Sequence, residues 1–272
     1  MGKKNPHVQS LKSLESRGAV KSVYRAVKIL EAFNTDEGMT VTEISKRFGF
    51  PKSSVHQILN TLVNENMLAK DPLTNRYYLG IKLFILGDKA RANLEIRKVA
   101  TPLLKKLKET YDETVHLTVL DNDEVLYIEC LESSRLLRTF SVLGYRAPLH
   151  CTAVGKAMMA YLPEESLNRV FRTKGLTKFT KNTITDKRRL LKELKSVVNK
   201  GYSVDNIEHE QGVRCVGAPI RNHKGEVFAA ISVTWPSQRL KLNQVPQIAK
   251  TVIATANEIS LRLGYKMTPT QP

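Results

Sequence analysis

The 272-residue chain reads as an α+β protein: an N-terminal winged helix-turn-helix, a linker helix, and a C-terminal antiparallel sheet flanked by helices. Three observations predict it. Short amphipathic segments alternate with tight turns between Ser22 and Asn64 and give way to a small hairpin. A long stretch of helical period follows, "GIKLFILGDKARANLEIRKVATPLLKKLKETY". From Thr114 the apolar period shortens to two, and strands then mix with helices in the order typical of a sheet covered by helices. The expected division is a basic tail over 1–21, the winged unit over 22–80, the linker over 81–94, the sheet domain over 95–266 and a tail over 267–272.

In the first unit, "SVYRAVKILEAF" places Val23, Ala26, Val27, Leu30 and Phe33 at helical spacing, with Ser22 as its N-cap. "TVTEI" opens a second helix with the capping-box pair Thr40 and Glu43. Val41, Ile44 and Phe48 form its buried side, and Gly49 suits a left-handed C-terminal turn. In "FGFPKSSVHQILNTL", Pro51 fits the first turn of a third helix, and Val55, Ile58, Leu59 and Leu62 form one stripe. Ser53, Gln57, Asn60 and Asn64 point away from it, with Ser54 and Thr61 on one flank and His56 on the other. Amides and hydroxyls there, in place of the usual Glu and Lys, are groups that pair with base edges or bond phosphate oxygens. Two strands, Leu68–Lys70 and Arg76–Leu79, would form the wing, from which Lys70 and Arg76 reach a nucleic-acid backbone. A winged helix can also serve protein contacts; the polar helix face and the basic balance favour double-stranded DNA.

The linker reads as two helical pieces, with Leu79, Leu83 and Leu86 on one side of the first. Leu94, Val99, Leu103, Leu104 and Leu107 continue in the second around Pro102. An apolar side on a bridging helix suits a dimer contact or packing on its own domain. Beyond it, "TVHLTVLDNDEVLYIECLE" reads as two strands, "LLRTFSVLG" as a third, and "GYRAPLHC" as a loop before the helix "TAVGKAMMAYLP". "TDKRRLLKELKSVVNKGY" is a helix ended by Gly201. A hairpin turns at His223–Gly225, and "VPQIAKTVIATANEISLRLGY" closes the chain as a helix.

Forty-three Lys and Arg against 26 Asp and Glu leave a net charge of +17, which favours an anionic partner. The excess is spread: +6 over residues 1–85, +3 over 86–180 and +8 over 181–272. No single face is marked by charge alone. Cys130, Cys151 and Cys215 are too few and too scattered for a disulfide framework or a structural zinc site, which fits a reducing, cytoplasmic location. No apolar run approaches a membrane span. Catalytic signals are lacking: no phosphate-binding glycine loop and no metal-ligand spacing is present, and no cofactor is expected. Cys151 beside His150, and Cys215 near His209, are the only nucleophile–base candidates, and sequence adjacency does not make a dyad. A sensor pocket fits better. "LHCTAVGK" places small residues at a helix start, leaving room and N–H donors for a carboxylate, although close helix–sheet packing calls for the same small side chains.

Six blocks in order, "VYRAVKILEAF", "TVTEISKRFGFPKSSVHQILNTLVNENML", "YYLGIKLFILG", "RAPLHCTAVGKAMMA", "GYSVDNIEHEQGVRCVGAPI" and "GEVFAAISVTWP", resemble the IclR family of bacterial transcriptional regulators over nearly the whole chain. The resemblance implies a GAF-like effector domain behind the winged helix, and a homodimer or dimer of dimers on a pseudo-palindromic promoter site. It implies a small organic acid as effector, and a repressor of carbon-source or aromatic-acid catabolism. Its recognition-helix motif falls on Pro51, Lys52, Ser53, Ser54, Val55, His56, Gln57 and Leu59; Asn60, on the polar side of the same helix, joins His56 and Gln57 as a candidate base reader. Where many members carry Arg, this chain has Gln57, a partner for adenine. Its effector positions fall on the loop Ala153–Val154–Gly155, on Asp205, Cys215, Ser232 and Thr234, and on Leu143 as an apolar wall. Asp205 is an anion in a site that takes acids, and so is expected to orient backbone or ligand hydroxyls.

Overall fold

The computed structural model describes residues 20–33, 37–92, 94–139 and 143–266. They fall into two compact units that divide between Arg91 and Ala92. Most of the expected basic tail, the tail over 267–272 and the middle of the expected strand "LLRTFSVLG" lie outside the described residues.

The first unit contains helices α1 (Lys21–Leu30), α2 (Val41–Phe48) and α3 (Lys52–Asn64), then strands β1 (Leu68–Lys70) and β2 (Tyr77–Leu79). α1 begins one residue before Ser22, with Val20 in the capping position, so Ser22 is helical and caps nothing. Its buried side is Ile29, flanked by the half-buried Ala26 and Leu30, whereas Val23 and Val27 are exposed. The apolar stripe is wider than the face α3 covers, and the packed edge is the one carrying Ala26 and Ile29. α2 has the full capping box: the Glu43 N–H donates to Thr40 Oγ1, and the Thr40 N–H donates to the Glu43 carboxylate. Gly49 ends it at φ 68°, a conformation that costs an L side chain energy and glycine none. The chain then turns through Phe50, whose ring stacks 5.4 Å from that of Phe48, and enters α3 with Pro51 as N-cap. Val55, Leu59 and Leu62 are buried and Ile58 is half-buried, as the wheel predicts. β1 and β2 pair antiparallel, Leu68 opposite Leu79, and Tyr77 also bridges Met39, so the wing is tied to the approach to α2. Helix α4 (Ile81–Ala92) carries Ile81, Phe84, Ile85 and Leu86 exposed.

The second unit is built on a six-stranded antiparallel sheet in the order β5-β4-β3-β8-β7-β6. Its strands are β3 (Thr114–Asp121), β4 (Glu124–Leu131), β5 (Arg146–Ala147), β6 (Ser203–Asn206), β7 (Val213–Arg221) and β8 (Val227–Pro236). β3 and β4 meet at Asn122 and Asp123, both at positive φ, the two-residue turn that matches strand twist. Of the expected third strand, the described residues Leu136–Thr139 and Leu143–Gly144 have no strand structure, and β4 pairs at this edge with Arg146–Ala147, inside the expected loop. The apolar run "LLRTFSVLG" misled because its first leucines are exposed, Leu136 fully and Leu137 largely. Strand β6 and helix α7 (Glu164–Thr173) were not expected; four residues are too few to show a period.

One face of the sheet is aliphatic. Val115, Leu117, Val216, Ala218, Ile220, Ala229, Ile231 and Val233 pack with α5 (Glu95–Tyr111) and α9 (Val245–Arg262) into the larger core. Burying each large aliphatic chain there contributes about 1.5–3 kcal/mol. On α5 the buried residues are Ile96, Ala100, Leu104 and Leu107, with Leu94 exposed and Val99 and Leu103 at the core's margin. The opposite face is covered by α6 (Ala153–Met159) and, beyond it, α8 (Lys187–Lys200), capped by Asp186 and ended by Gly201 at φ 74°.

The first turn of α6 admits no larger residue at Gly155, where a Cβ would lie 2.4 Å from both Leu149 O and Thr152 Oγ1. Gly155→Ala is therefore expected to lower stability by about 1–3 kcal/mol in urea unfolding followed by circular dichroism. An unchanged midpoint would show that this turn is not packed as described.

Candidate functional site

The winged unit sets its candidate residues in two groups. Lys52, Ser53, His56, Gln57 and Asn60 are exposed on the outer side of α3, opposite the buried Val55–Leu59–Leu62 edge. Asn60 Nδ2 lies 3.3 Å from His56 Nδ1, one turn away, so these two side chains stand side by side. The other group is engaged within the unit. Ser54 is half-buried and accepts a hydrogen bond from Arg25 Nη1 at 3.0 Å. Arg76 is also half-buried. Its guanidinium donates to both Glu43 carboxylate oxygens, at 3.1 and 3.2 Å, and to Gly38 O. With Thr40 and Arg76 both donating to it, Glu43 holds its carboxyl below the usual range, the Thr40 N–H first among the causes. Arg76 thus fastens the wing to α2, whereas Lys70 is exposed, its ammonium 5.7 Å from the Tyr77 ring.

The second candidate site follows from strand register. Asp205, Cys215, Thr234 and Thr114 face one another across β6, β7, β8 and β3, and Ser203, Gly217, Ser232 and His116 form the next row on the same face. Where an aliphatic row would meet helix α6, these polar rows enclose a cavity of about 50 Å³ lined by His116, Tyr127, Ala153, Asp205, Cys215 and Thr234, among others. Ala153 and Val154 border it from the first turn of α6 rather than from a loop, and Ser232 lines it too. Two candidates fall outside. Gly155 is buried behind the cavity with its N–H donated to Thr152 Oγ1, and Leu143 is exposed and not part of the wall.

Thr152, within the expected stretch "LHCTAVGK", also lines this cavity, as do His116, Tyr127, Thr139, His209, Glu210 and Val213, which were not expected. His116 was within reach of the sequence, since pairing the first and last strands of the sheet sets it opposite Ser232. Tyr127 was not. A bulge between Leu117 and Thr118 advances β4 by one residue, so that Tyr127 and Cys130 share a face, and the Tyr127 ring meets His116 edge-on at 5.2 Å.

Burial sets the protonation states of the cavity. It lowers His116 to about 4, so the imidazole is neutral at pH 7. His116 Nδ1 lies 3.2 Å from Thr234 Oγ1, whose hydroxyl donates to Cys215 Sγ at 3.3 Å. One hydroxyl proton serves one acceptor, so the tautomer with its proton on Nδ1 completes a chain His116, Thr234, Cys215. Burial also raises the Cys215 thiol well above its ordinary value and raises Cys151 strongly, so neither thiol is a nucleophile at pH 7. His150 Nε2 donates to Thr177 O at 2.9 Å and pairs with neither thiol.

Below the cavity, Lys156 of α6 is fully buried. Its ammonium meets Glu208 Oε1 at 2.6 Å and Glu193 Oε1 at 3.4 Å. Asp205 Oδ1 accepts the Glu208 N–H at 2.7 Å, and desolvation raises this carboxyl to about 7.

The family models that match are "IclR helix-turn-helix domain" over residues 22–72 and "Bacterial transcriptional regulator IclR C-terminal" over residues 89–261. The chain belongs to the IclR family of bacterial transcriptional regulators. It is 34% identical to the HTH-type transcriptional regulator XynR of Escherichia coli over 247 residues, covering 90% of this chain and 98% of XynR. It is 30% identical to the transcriptional repressor IclR of the same organism, covering 91% of each. Among solved structures, an IclR homologue from Microbacterium hydrocarbonoxydans complexed with 4-hydroxybenzoate superposes with a TM-score of 0.76 at 25% identity, over 89% of this chain and 99% of that one. The IclR-type chain described here is a ligand-responsive transcriptional regulator with an N-terminal helix-turn-helix and a C-terminal antiparallel-sheet domain. Among the described residues no helix is long and apolar enough to cross a membrane, and no cluster of His, Cys, Asp or Glu is arranged to hold a metal ion.

Removing the Lys156 ammonium leaves two carboxylates facing each other without their cation. Lys156→Met is expected to cost about 3–5 kcal/mol at pH 7. The loss should shrink at pH 5, because Glu208, which burial already raises, then takes up a proton and no buried charge is left unpaired. Urea unfolding at the two pH values checks this; equal losses at both would show that the lysine acts by packing alone.

Proposed function

We propose that this IclR-family protein is a repressor of genes for carbon-source or aromatic-acid catabolism, released or tightened by a small organic acid. It would act as a homodimer or dimer of dimers on a pseudo-palindromic site in double-stranded DNA. The observation that carries the DNA half is the exposed row Lys52, Ser53, His56, Gln57 and Asn60 on α3, with amides and a hydroxyl where a surface helix usually carries Glu and Lys. Lys52 and Ser53 take phosphates, with Ser54 held behind them by Arg25; Gln57, Asn60 and His56 read base edges, Gln57 suiting adenine. Lys70 reaches the backbone from the wing, and Arg76, engaged with Glu43 and Gly38, holds the wing in position. The exposed apolar residues of α4 support a dimer contact through the linker, residues 81–94, between the DNA-binding segment 22–80 and the effector segment 95–266.

The effector half rests on the polar cavity lined by Ala153, Val154, Asp205, Cys215, Ser232 and Thr234, with Gly155 shaping the turn behind it. A repressor relative and a relative bound to 4-hydroxybenzoate support the direction and the ligand class. A ligand shifts DNA affinity only by its differential binding to the two states of the protein.

Binding of purified protein to genomic fragments at two salt concentrations, with and without carboxylic acids from acetate to 4-hydroxybenzoate, tests both halves. Discrete palindromic sites whose occupancy moves with one acid are the expected result, with log affinity falling by roughly 0.9 per phosphate contact for each tenfold rise in salt. Absence of any preferred fragment would reject the DNA reading. Gln57→Ala should relax specificity at one base pair at a cost of about 1–3 kcal/mol, whereas Lys52→Ala should weaken all sequences alike and flatten the salt dependence. An unchanged preferred sequence in the Gln57 variant would mean that α3 presents a different face.

A further inference from the structure

The effector cavity is built for an anion in its hydroxyls and against one in its charges. Asp205 is buried to 3% exposure and lines the cavity. The lining residues include no Lys or Arg among those described. The nearest cation, Lys156, is fully buried and already shared by Glu208 and Glu193, two carboxylates against one ammonium. Placing an ionised acid beside an ionised Asp205 would therefore add a third uncompensated negative charge to a buried cluster.

The groups that face Asp205 allow one resolution. From the loop after β6, Glu208 adds a repelling charge while the Glu208 and His209 N–H groups donate to the carboxylate, and Glu210 stands on the same rim. From β7, Cys215 lies directly opposite as a neutral thiol, and from the approach to α6, Cys151 is likewise neutral. From α6 comes Lys156, held by Glu208 and by Glu193 of α8. From β3 and β4 come the neutral His116 and the un-ionised Tyr127 phenol. His209 on the rim, like His150 behind it, is held below the ordinary histidine range, burial being the first cause in each. No neighbour supplies the positive charge that an incoming carboxylate needs.

We infer, on the basis of the acid reading above, that Asp205 meets the effector as a neutral carboxylic acid and donates a hydrogen bond to its carboxylate, so that each effector molecule binds together with one proton. Oδ1 keeps the Glu208 N–H, and the proton sits on Oδ2, facing the cavity. Ser232 contributes a hydroxyl to the other side of the ligand, Thr234 does so by turning its proton away from Cys215, and Thr139 Oγ1, buried with no partner, is a further group the ligand can satisfy. Desolvation already holds the empty site's Asp205 near 7, so the proton is taken up from solvent only above that value. The sign follows: affinity for an acid is level below about pH 7 and falls tenfold for each pH unit above it.

Acetate is a suitable probe, because a cavity of about 50 Å³ admits a two-carbon acid without opening. Its binding to the full-length protein is to be followed by NMR shifts of Thr234 and of the Asp205 carboxyl carbon from pH 6 to 8.5, with acetamide as the neutral isostere. The expected result has three parts: acetate affinity drops at least tenfold between pH 7 and 8.5, acetamide affinity does not change with pH, and bound acetate moves the Asp205 midpoint upward by a unit or more. Asp205→Asn, which keeps the Glu208 N–H bond and cannot ionise, should bind acetate with no pH dependence and about tenfold more tightly than the parent at pH 8.5. Acetate bound equally well across the range, or an Asn variant weakened at every pH, overturns the inference and leaves the acid reading standing. A cavity that takes acetamide and refuses acetate even at pH 6 rejects the acid reading itself.

Discussion

The effector unit depends on how closely α6 approaches the sheet. At Gly217 of β7 a Cβ would lie 3.0 Å from the Ala153 carbonyl carbon and 3.1 Å from Val154 N, and Ser203 Oγ of β6 donates to Ala153 O. Only small residues on both sides permit this, which is why the sequence carries Ala-Val-Gly on the helix and Gly on the strand. The approach does two things at once. It closes the cavity on one side with the backbone of Ala153 and Val154. It also drives Lys156, one turn further along, into the interior, where it has to be met by Glu208 and Glu193. The buried charges below the pocket are thus a consequence of the same packing that forms its wall.

The winged unit shows the complementary economy, with polar residues divided between holding and presenting. Glu43 closes the α2 capping box and receives Arg76 from the wing, while Arg25 of α1 holds Ser54 of α3 and lies 5.1 Å from the Phe50 ring. These contacts fix the elements around α3, while Lys52, Ser53, His56, Gln57 and Asn60 stay exposed on its outer side. A recognition helix needs such a frame, since base readout tolerates little error in orientation.

Much of this was legible in the sequence because it depends on local chemistry. Thr40–Glu43, Gly49, Gly201 and the Val55–Leu59–Leu62 stripe each declare a boundary or a face within a few residues. The misreadings have a common cause in tertiary pairing. Ser22 looks like a cap until Val20 is seen to start the helix. Val23 and Val27 look buried until α3 is seen to cover the adjacent edge. Leu136–Thr139 looks like the start of a strand, but it has no strand structure and Arg146–Ala147 pairs with β4. In the pocket, Asp205, Cys215, Ser232 and Thr234 came from resemblance, while Tyr127 depends on a bulge and His209 on the turn after β6. Neither leaves a periodic trace. The family membership of the chain was readable throughout, because it rests on ordered blocks and not on pairing.

The charge of +17 and the negative interior of the pocket are two halves of one electrostatic arrangement. A basic exterior raises the local concentration of anions of every kind, DNA phosphates and small acids alike, and by itself distinguishes none of them. Exposed charges more than about 8–10 Å away are screened at physiological salt, so the surface excess does little to relieve a buried carboxylate. Discrimination must then come from inside. On the proposed DNA reading, a long phosphate backbone would meet exposed groups such as Lys52 and Lys70, where solvent screens every contact. On the proposed acid reading, a single carboxylate entering the sheet would meet Asp205, desolvated and without a cation of its own, and would have to satisfy hydroxyls and a carboxyl group at close range. The same protein can therefore attract anions broadly at its surface and admit them narrowly at its core. The two behaviours are separated by burial and not by the sign of the surface charge.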